Sequence, residues 1–178
     1  MIDLKKFLDD KFFVKINQKN EINLLDFSKR KEHYSDSFFE EYKRYPKIQL
    51  DSFNKLKINE ERFYSSSKWI KKDLKDKNVL EVGSGAGKFT EILIQTGCNL
   101  ISTDSSDAIK INFKNNNKHD INKTVFIKTN ANETIFKDHV FDYVVLFGVL
   151  QNVDNQKLII ENCISLIKKG GKFTLDVT

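Results

Sequence analysis

Short apolar runs alternate with segments of helical periodicity from Lys77 to the end of the chain. Runs of this length predict strands, and they lie at 78–82, 99–104, 124–129, 141–148 and 172–177. The run FDYVVLFG (141–148) is almost wholly apolar, which is typical of a strand buried on both faces. Helices are predicted between the strands, at 86–97, 105–116 and 155–170. The alternation predicts an α/β fold, a doubly wound and mostly parallel sheet with helices on both faces.

The first and last of these helices each carry an apolar stripe that should face the sheet. In the first helix the stripe consists of Phe89, Ile92, Leu93 and Thr96. In the last helix the inward stripe is expected to be Ile159, Ile160, Cys163, Ile164 and Ile167. Lys168 and Lys169 then fall in the final turn, and Gly170 is predicted to be the left-handed cap.

Residues 1–76 lack this alternation. A small hairpin is predicted over 12–27, with NQKN at its turn, and helices are predicted over 36–45 and 59–74, the first of them ended by Pro46. Phe63 and Trp69 on the second helix are expected to pack on the sheet. We therefore divide the chain into an N-terminal extension, 1–59, which forms a lid or a partner-binding arm, and a main domain, 60–178.

Composition and charge narrow the class of protein. With 39% apolar and 31% charged residues, no apolar run long enough to span a membrane and no signal-peptide pattern, the chain is expected to be cytoplasmic. The net charge of +5 comes from residues 1–78, since the rest is balanced. A basic flank is compatible with nucleic-acid binding. The lysines are dispersed, however, which favours a solvated surface.

The cysteines and histidines indicate no metal site and no catalytic cluster. Cys98 and Cys163 fall in apolar patterns without a CxxC partner, so both are predicted to be reduced core residues. His33, His119 and His139 lie in polar segments with no carboxylate at a useful spacing, so we expect them on the surface.

The stretch VLEVGSGAGKFT (79–90) contains a glycine-rich loop between a predicted strand and a predicted helix. A phosphate loop requires glycine where Val82 stands and a hydroxyl residue where Phe89 stands, so that class is excluded. A dinucleotide fingerprint requires a small third residue for close helix packing, but that position is Lys88. A third type of loop consists of an acidic residue, one spacer residue and the pattern GxGxG. Residues 81–87 match this pattern at every position.

This loop resembles the first motif of class I S-adenosylmethionine-dependent methyltransferases, a family with a Rossmann-like fold. The segments ISTDSS, TNANETIF, FDYVVLFGVLQNV and LIKKGGKFTLDV follow at intervals similar to those of the family, and the resemblance covers about residues 60–178. It implies S-adenosylmethionine as cofactor and methyl transfer to a small-molecule acceptor. No membrane or metal partner is implied.

The resemblance also implies roles for individual residues. Glu81 would help to bind the cofactor's ammonium group, Asp104 the ribose hydroxyls, and Asn130 with the Ala131 backbone the adenine. Ser105 stands where an apolar residue often packs on the adenine. The full set of implied cofactor contacts is Glu81, Gly83, Ser84, Gly85, Gly87, Asp104, Ser105, Asn130, Ala131, Phe147 and Gly148.

Two features depart from the family pattern. Gln151 and Asn152 stand where many members carry a histidine, so no obvious general base stands in the usual place. The acceptor-side candidates are Tyr64 and Gln151, with Arg62 and Phe63 nearby. The two C-terminal hairpin strands of the family are also missing, which suggests a truncated form, a reduced variant or a sheet completed by a partner. The open sheet edge predicts either a homodimer or marginal solubility. The alternatives are an RNA methyltransferase and a non-catalytic cofactor-binding or scaffold protein.

Overall fold

A computed structural model describes residues 2–13, 23–28, 36–117, 121–133 and 135–177. Its strands are β1 (Leu24–Asp26), β2 (Asn78–Val82), β3 (Asn99–Asp104), β4 (Thr124–Lys128), β5 (Phe141–Phe147) and β6 (Ile167–Asp176). Its α-helices are α1 (Asp10–Phe13), α2 (Asp36–Arg44), α3 (Asp51–Asn54), α4 (Ile58–Ser67), α5 (Lys88–Ile94), α6 (Ala108–Asn116) and α7 (Gln156–Ser165). Short 3₁₀ turns lie at Leu4–Lys6, Lys71–Leu74, Ile121–Lys123 and Leu150–Asn152.

The strands form one sheet in the order β1-β4-β3-β2-β5-β6, and each neighbouring pair is parallel. From β2 the chain first winds outward through β3 and β4 and then crosses back to place β5 on the other side of β2. The direction of winding therefore reverses between β2 and β5, and in sheets of this kind ligands bind at the carboxyl ends of the strands beside that reversal. The predicted Rossmann-like, doubly wound fold is confirmed.

Alternate residues along the central strands enter two separate cores, because successive side chains of a strand point to opposite faces. Leu80 of β2 and Val144 of β5 belong to a cluster that also contains Ile159 and Cys163 of α7. Val79 of β2 and its β5 neighbours belong to a second cluster, which is covered by α4 and α5 through Phe63, Phe89, Ile92 and Leu93. Helices thus cover both faces, as the apolar pattern of β5 requires.

The N-terminal segment is part of the main core. Phe7, Leu8 and Phe12 are buried against the α7 side of the sheet, and Leu25 of β1 joins the same cluster. Of the hairpin predicted over 12–27, residues 14–22 lie outside the described part, Phe12 is in a helical turn, and β1 pairs in parallel with β4. The domain boundary between residues 59 and 60 stays a prediction. Buried residues on both sides of it belong to the same apolar core.

The helix predicted over 155–170 is too long. Helix α7 ends at Ser165, and Lys168, Lys169 and Gly170 belong to strand β6. Phe141 pairs with Ile167 but Tyr143 pairs with Lys172, so the KKGG segment bulges out of register. The inward stripe is also corrected, because Ile164 is 53% exposed. Periodicity alone missed this boundary, since Leu166 and Ile167 continue the apolar pattern of the helix although Ile167 pairs with Phe141 in the sheet.

Several smaller expectations can be compared with the structure. Cys98 and Cys163 are free and buried, and burial raises the pKa of their thiols to about 11 and about 12, as expected for inert core residues. His139 is exposed, whereas His33 and His119 lie outside the described residues. Within the described ranges no helix has the length and apolar character that a membrane crossing requires, and no cluster of His, Cys, Asp and Glu resembles a metal site.

Candidate active site

A cavity of about 820 Å³ lies at the carboxyl ends of the central strands, where the winding of the sheet reverses. Its wall contains residues at or just after the carboxyl ends of four strands: Gly83 after β2, Asp104 at the end of β3, Asn130 after β4 and Gly148 after β5. A cavity of this size matches the typical volume of a small-molecule or cofactor site.

The glycine loop is shaped by positive backbone φ angles, 74° at Gly83 and 54° at Gly85, which disfavour residues with a side chain. The Gly83 and Ser84 N–H groups donate to the Thr103 carbonyl at 2.8 and 2.9 Å, which holds the loop on β3. A Cβ on Gly83 would collide with the Val149 side chain. The loop therefore brings bare backbone to the cavity wall at the junction of β2 and β5.

Asp104 connects the end of β3 to this loop. Its Oδ2 accepts from the Gly85 N–H at 2.8 Å, and its Oδ1 accepts from the N–H and Oγ of Ser106 at 2.8 and 2.6 Å. A carboxylate offers about four acceptor positions, so an acceptor position remains on Oδ2. Asp104 is thus pre-oriented in the cavity wall by three donors.

The turn after β4 supplies the opposite part of the wall. Asn130 Oδ1 accepts from the Asn132 N–H at 2.8 Å, and the Ala131 carbonyl accepts from Asn162 Nδ2 of α7 at 3.1 Å. The amide oxygen predicted to meet an adenine amino group therefore already serves an Asx turn, which orients it and uses one of its lone pairs. Ser105 and Ala131 also line the cavity.

Glu81 faces away from the cavity, into a buried polar cluster. Its Oε2 accepts from Thr90 Oγ1 at 2.5 Å and Ser102 Oγ at 2.9 Å, whereas Oε1 has no hydrogen-bond partner among the described residues. Burial raises its pKa to about 7. Glu81 is not among the residues that line the cavity, and its contact with the cofactor's ammonium group stays a prediction.

Three further predicted contacts also lie behind the wall rather than in it. Ser84 Oγ accepts from Asn112 Nδ2 at 2.9 Å, and a Cβ at Gly87 would collide with the side chains of Asn112 and Asn116. Phe147 is buried between the rings of Phe63 and Phe89, with centroids 5.7 and 5.2 Å away. These residues shape and support the loop from its rear.

The two acceptor-side candidates are separated. Gln151 lines the cavity, and its Nε2 approaches Gly148. Tyr64 packs edge-on against Phe63, outside the cavity wall, and its buried hydroxyl has no hydrogen-bond partner within the described residues. Arg62 ion-pairs with Asp176 through Nε and Oδ2 at 2.9 Å, so it connects α4 to the end of β6.

Sequence reasoning missed four wall residues with ionisable side chains: Glu41, Tyr42, Lys88 and Asp154. Tyr42 belongs to α2 and lies over the glycine loop, where its phenol oxygen would stand 3.0 Å from a Cβ on Gly85. Burial, with a smaller contribution from Asp104, raises its pKa to about 12, so the phenol stays protonated. No motif in the sequence around Tyr42 indicates that its side chain lies over the glycine loop.

Comparison with known proteins agrees with the fold. The family model described as a methyltransferase domain matches residues 80–175, just over half of the chain. The chain therefore belongs to the methyltransferase domain family, in agreement with the class I S-adenosylmethionine-dependent type predicted from the glycine loop.

Individual proteins that resemble the chain share low sequence identity with it. The ubiquinone biosynthesis O-methyltransferase of Coxiella burnetii is 32% identical over 100 residues, which are 56% of this chain and 42% of the relative. The chain thus spans less than half the length of the curated relatives it matches. A solved S-adenosylmethionine-dependent methyltransferase from Methanosarcina mazei shares 26% identity, with a TM-score of 0.52 over 57% of this chain and 52% of the other. A Pyrococcus horikoshii protein aligns with a TM-score of 0.58 at 20% identity, over 76% and 64% of the two chains.

Proposed function

We propose that the chain binds S-adenosylmethionine in the cavity at the carboxyl edge of the sheet and transfers its methyl group to a small-molecule acceptor. The observation that carries the proposal is the position of Asp104. This carboxylate stands in the cavity wall, fixed by the Gly85 and Ser106 N–H groups, with an acceptor position still open on Oδ2.

The residues present fit such a cofactor. An adenosine ligand offers hydroxyl donors to Asp104, and its base offers an amino group to the turn at Asn130 and Ala131. The glycine loop has no side chain at Gly83 or Gly85, so a ligand can approach its backbone closely. Tyr42 would then cover the bound ligand from the side of α2.

When bound, the cofactor supplies an activated methyl group on a sulfonium, so the protein is required mainly to position the acceptor and exclude water. Orientation of this kind contributes roughly 7–11 kcal/mol to lowering a barrier. Gln151 lines the cavity beside Gly148, which supports it as the residue on the acceptor side of the site. None of the described wall residues is a histidine, which fits an acceptor that needs no imidazole base.

A hydroxyl on a small molecule is the acceptor class that the similarity supports. The Coxiella burnetii relative is by name an O-methyltransferase of ubiquinone biosynthesis, and it matches more than half of this chain. A carboxylate such as Asp154 or Glu41 in the wall can take the proton of a hydroxyl acceptor.

The test is a calorimetric titration of the chain with S-adenosylmethionine and S-adenosylhomocysteine, beside Asp104→Asn and the matched control Asp107→Asn. Asp107 lies three residues further on, ion-pairs with Lys110 and Lys128, and is not in the wall. We expect micromolar binding by the wild type and by Asp107→Asn, and at least tenfold weaker binding by Asp104→Asn, because a charged hydrogen bond is worth about 1.5–3 kcal/mol. No binding by a folded wild-type chain would refute the proposal and favour a scaffold role.

A further inference from the structure

Lys88 is the one cationic side chain among the described residues that line the cavity, whose wall also contains the carboxylates of Glu41, Asp104 and Asp154. It is the first residue of α5 and partly buried. Its Nζ lies 5.2 Å from the centroid of the Phe89 ring, and the Arg62 guanidinium lies 5.7 Å from the same centroid. Two cations therefore flank a single aromatic ring at the edge of the site.

The neighbouring carboxylate does not neutralise both cations. Asp176 Oδ2 accepts from Arg62 Nε at 2.9 Å and from Ser66 Oγ at 3.2 Å. Lys88 has no ion pair and no hydrogen bond with any part of the chain that the structure describes. Burial and the nearby Arg62 lower the pKa of Lys88, with Asp176 opposing them. None of the described carboxylates pairs directly with this ammonium, although a direct partner stabilises a partly desolvated cation.

The position of Lys88 along the sheet edge separates it from the proposed adenosine contacts. Asn130 and Asp104 follow β4 and β3, on one side of the glycine loop. Asp176 ends β6, on the other side, and its backbone carbonyl accepts from the Gly148 N–H at 2.9 Å. Because Lys88 lies near Arg62 and Asp176, it borders the part of the cavity beyond the loop.

We propose that Lys88 is the anion-binding residue of the cavity and holds a carboxylate of the bound ligand at the β5–β6 end of the sheet. The inference rests on the proposed function. The carboxylate belongs either to the amino-acid portion of the cofactor or to an acidic acceptor, and the chemistry at Lys88 is the same in both cases. A compact ammonium with rotatable donors pairs with a carboxylate as a point charge.

The experiment has two arms, each comparing a carboxylate ligand with its neutral partner by calorimetry. In the first arm S-adenosylhomocysteine is compared with its decarboxylated analogue, which keeps the adenosine and the amine. In the second arm the chain, saturated with S-adenosylhomocysteine, is titrated with 3,4-dihydroxybenzoate and with 3,4-dihydroxybenzamide. The proteins are the wild type, Lys88→Met, Lys88→Arg and the control Lys47→Met, since Lys47 is exposed and outside the cavity wall.

We expect the wild type to prefer the carboxylate in one arm by roughly tenfold to a hundredfold, the range for a charged hydrogen bond. Lys88→Met should lose that preference, whereas Lys88→Arg and Lys47→Met should keep it. The arm that responds identifies the source of the carboxylate. If S-adenosylhomocysteine binds but Lys88→Met changes neither preference, the inference is overturned while the proposed function stands. If no ligand binds to the folded wild type, both are overturned.

Discussion

Tyr42 lies directly over Gly85: a Cβ at Gly85 would stand 3.0 Å from the phenol oxygen and 3.3 Å from the ring carbon that bears it. Gly85 therefore lies between the cavity on one side and α2 on the other. Asn115 strengthens the link, because its Nδ2 donates to the carbonyls of both Pro46 and Ala86, at 2.7 and 2.9 Å. The side-chain amide of Asn115 thus connects the segment after α2 to the glycine loop.

Replacement of Tyr42 by alanine is expected to open this cover and weaken S-adenosylhomocysteine binding about tenfold, because aromatic surface that shields the ligand is lost. Tyr42→Phe should bind nearly as well if the ring is responsible. Calorimetry measures the affinity, and Tyr45→Ala, at a tyrosine that is 49% exposed just after α2, is the matched control. Equal binding by wild type and Tyr42→Ala would show that α2 does not cover the ligand.

Glu81 should make the stability of the protein fall with rising pH. Burial raises the pKa of its carboxyl from the ordinary 4.5 to about 7, so the folded state holds a proton that the unfolded state has lost between these values. Stability contributed by the protonated form is complete below pH 4.5 and declines as the pH rises to about 7, by on the order of 3 kcal/mol.

Urea unfolding at several values between pH 5 and pH 8 measures this decline, and Glu81→Gln should remove most of it. The variant should also be more stable than the wild type at pH 8, since it places no charge in the core. An unchanged pH dependence in Glu81→Gln would mean that the carboxyl is not protonated in the folded protein.

Asn112 of α6 is expected to contribute strongly to stability. It is fully buried, and its Nδ2 lies within hydrogen-bond distance of Ser84 Oγ, Thr90 Oγ1 and Ser102 Oγ, at 2.9, 2.8 and 3.1 Å. Asn112→Ala leaves these hydroxyls poorly satisfied and creates a small cavity, at a cost of about 2–4 kcal/mol. Urea unfolding measures the loss, with Lys114→Ala on the exposed side of the same helix as the control. A loss below ~1 kcal/mol would indicate that the hydroxyls find other partners.

The Arg62–Asp176 ion pair should couple α4 to the end of β6. The two side chains are 27% and 15% exposed, so solvent screens the pair less than it screens a surface pair. A double-mutant cycle with Arg62→Met and Asp176→Asn is expected to give a coupling free energy of about 1 kcal/mol. Chemical unfolding of the four proteins supplies the measurement, and a coupling near zero would mean that the pair adds nothing beyond packing.

Much of the fold could be predicted because it depends on local patterns. Strands β2, β3 and β5, the glycine loop and the position of Asp104 all follow from apolar runs and from residues next to them in sequence. Helix α7 was predicted too long because Leu166 and Ile167 continue its apolar periodicity, although Ile167 pairs with Phe141. The competing interaction is a strand pairing with a residue 26 positions away, which periodicity does not report.

The candidate site could be predicted only in part, for the same reason. Asp104 and Asn130 lie in the wall because both follow strands, and strand ends share one edge. Tyr42, by contrast, reaches Gly85 through the packing of α2, and the direction of the Glu81 side chain depends on hydroxyls from β3 and α5. Asn115 and Asn116 lie at the end of α6, as the helix predicted over 105–116 implies, but no sequence pattern shows that their side chains hold the glycine loop.

The parallel pairing of β1 with β4 has a consequence for how the protein is made. Leu24 pairs with Phe126, so β1 leaves the ribosome long before its partner strand exists. At typical elongation rates of about 5–20 residues per second, the N-terminal segment must wait on the order of 5–20 s. During that time Phe7, Leu8 and Phe12 have no finished core to enter. This segment is thus expected to be among the last parts of the described chain to fold, and chaperones have a window in which to bind it.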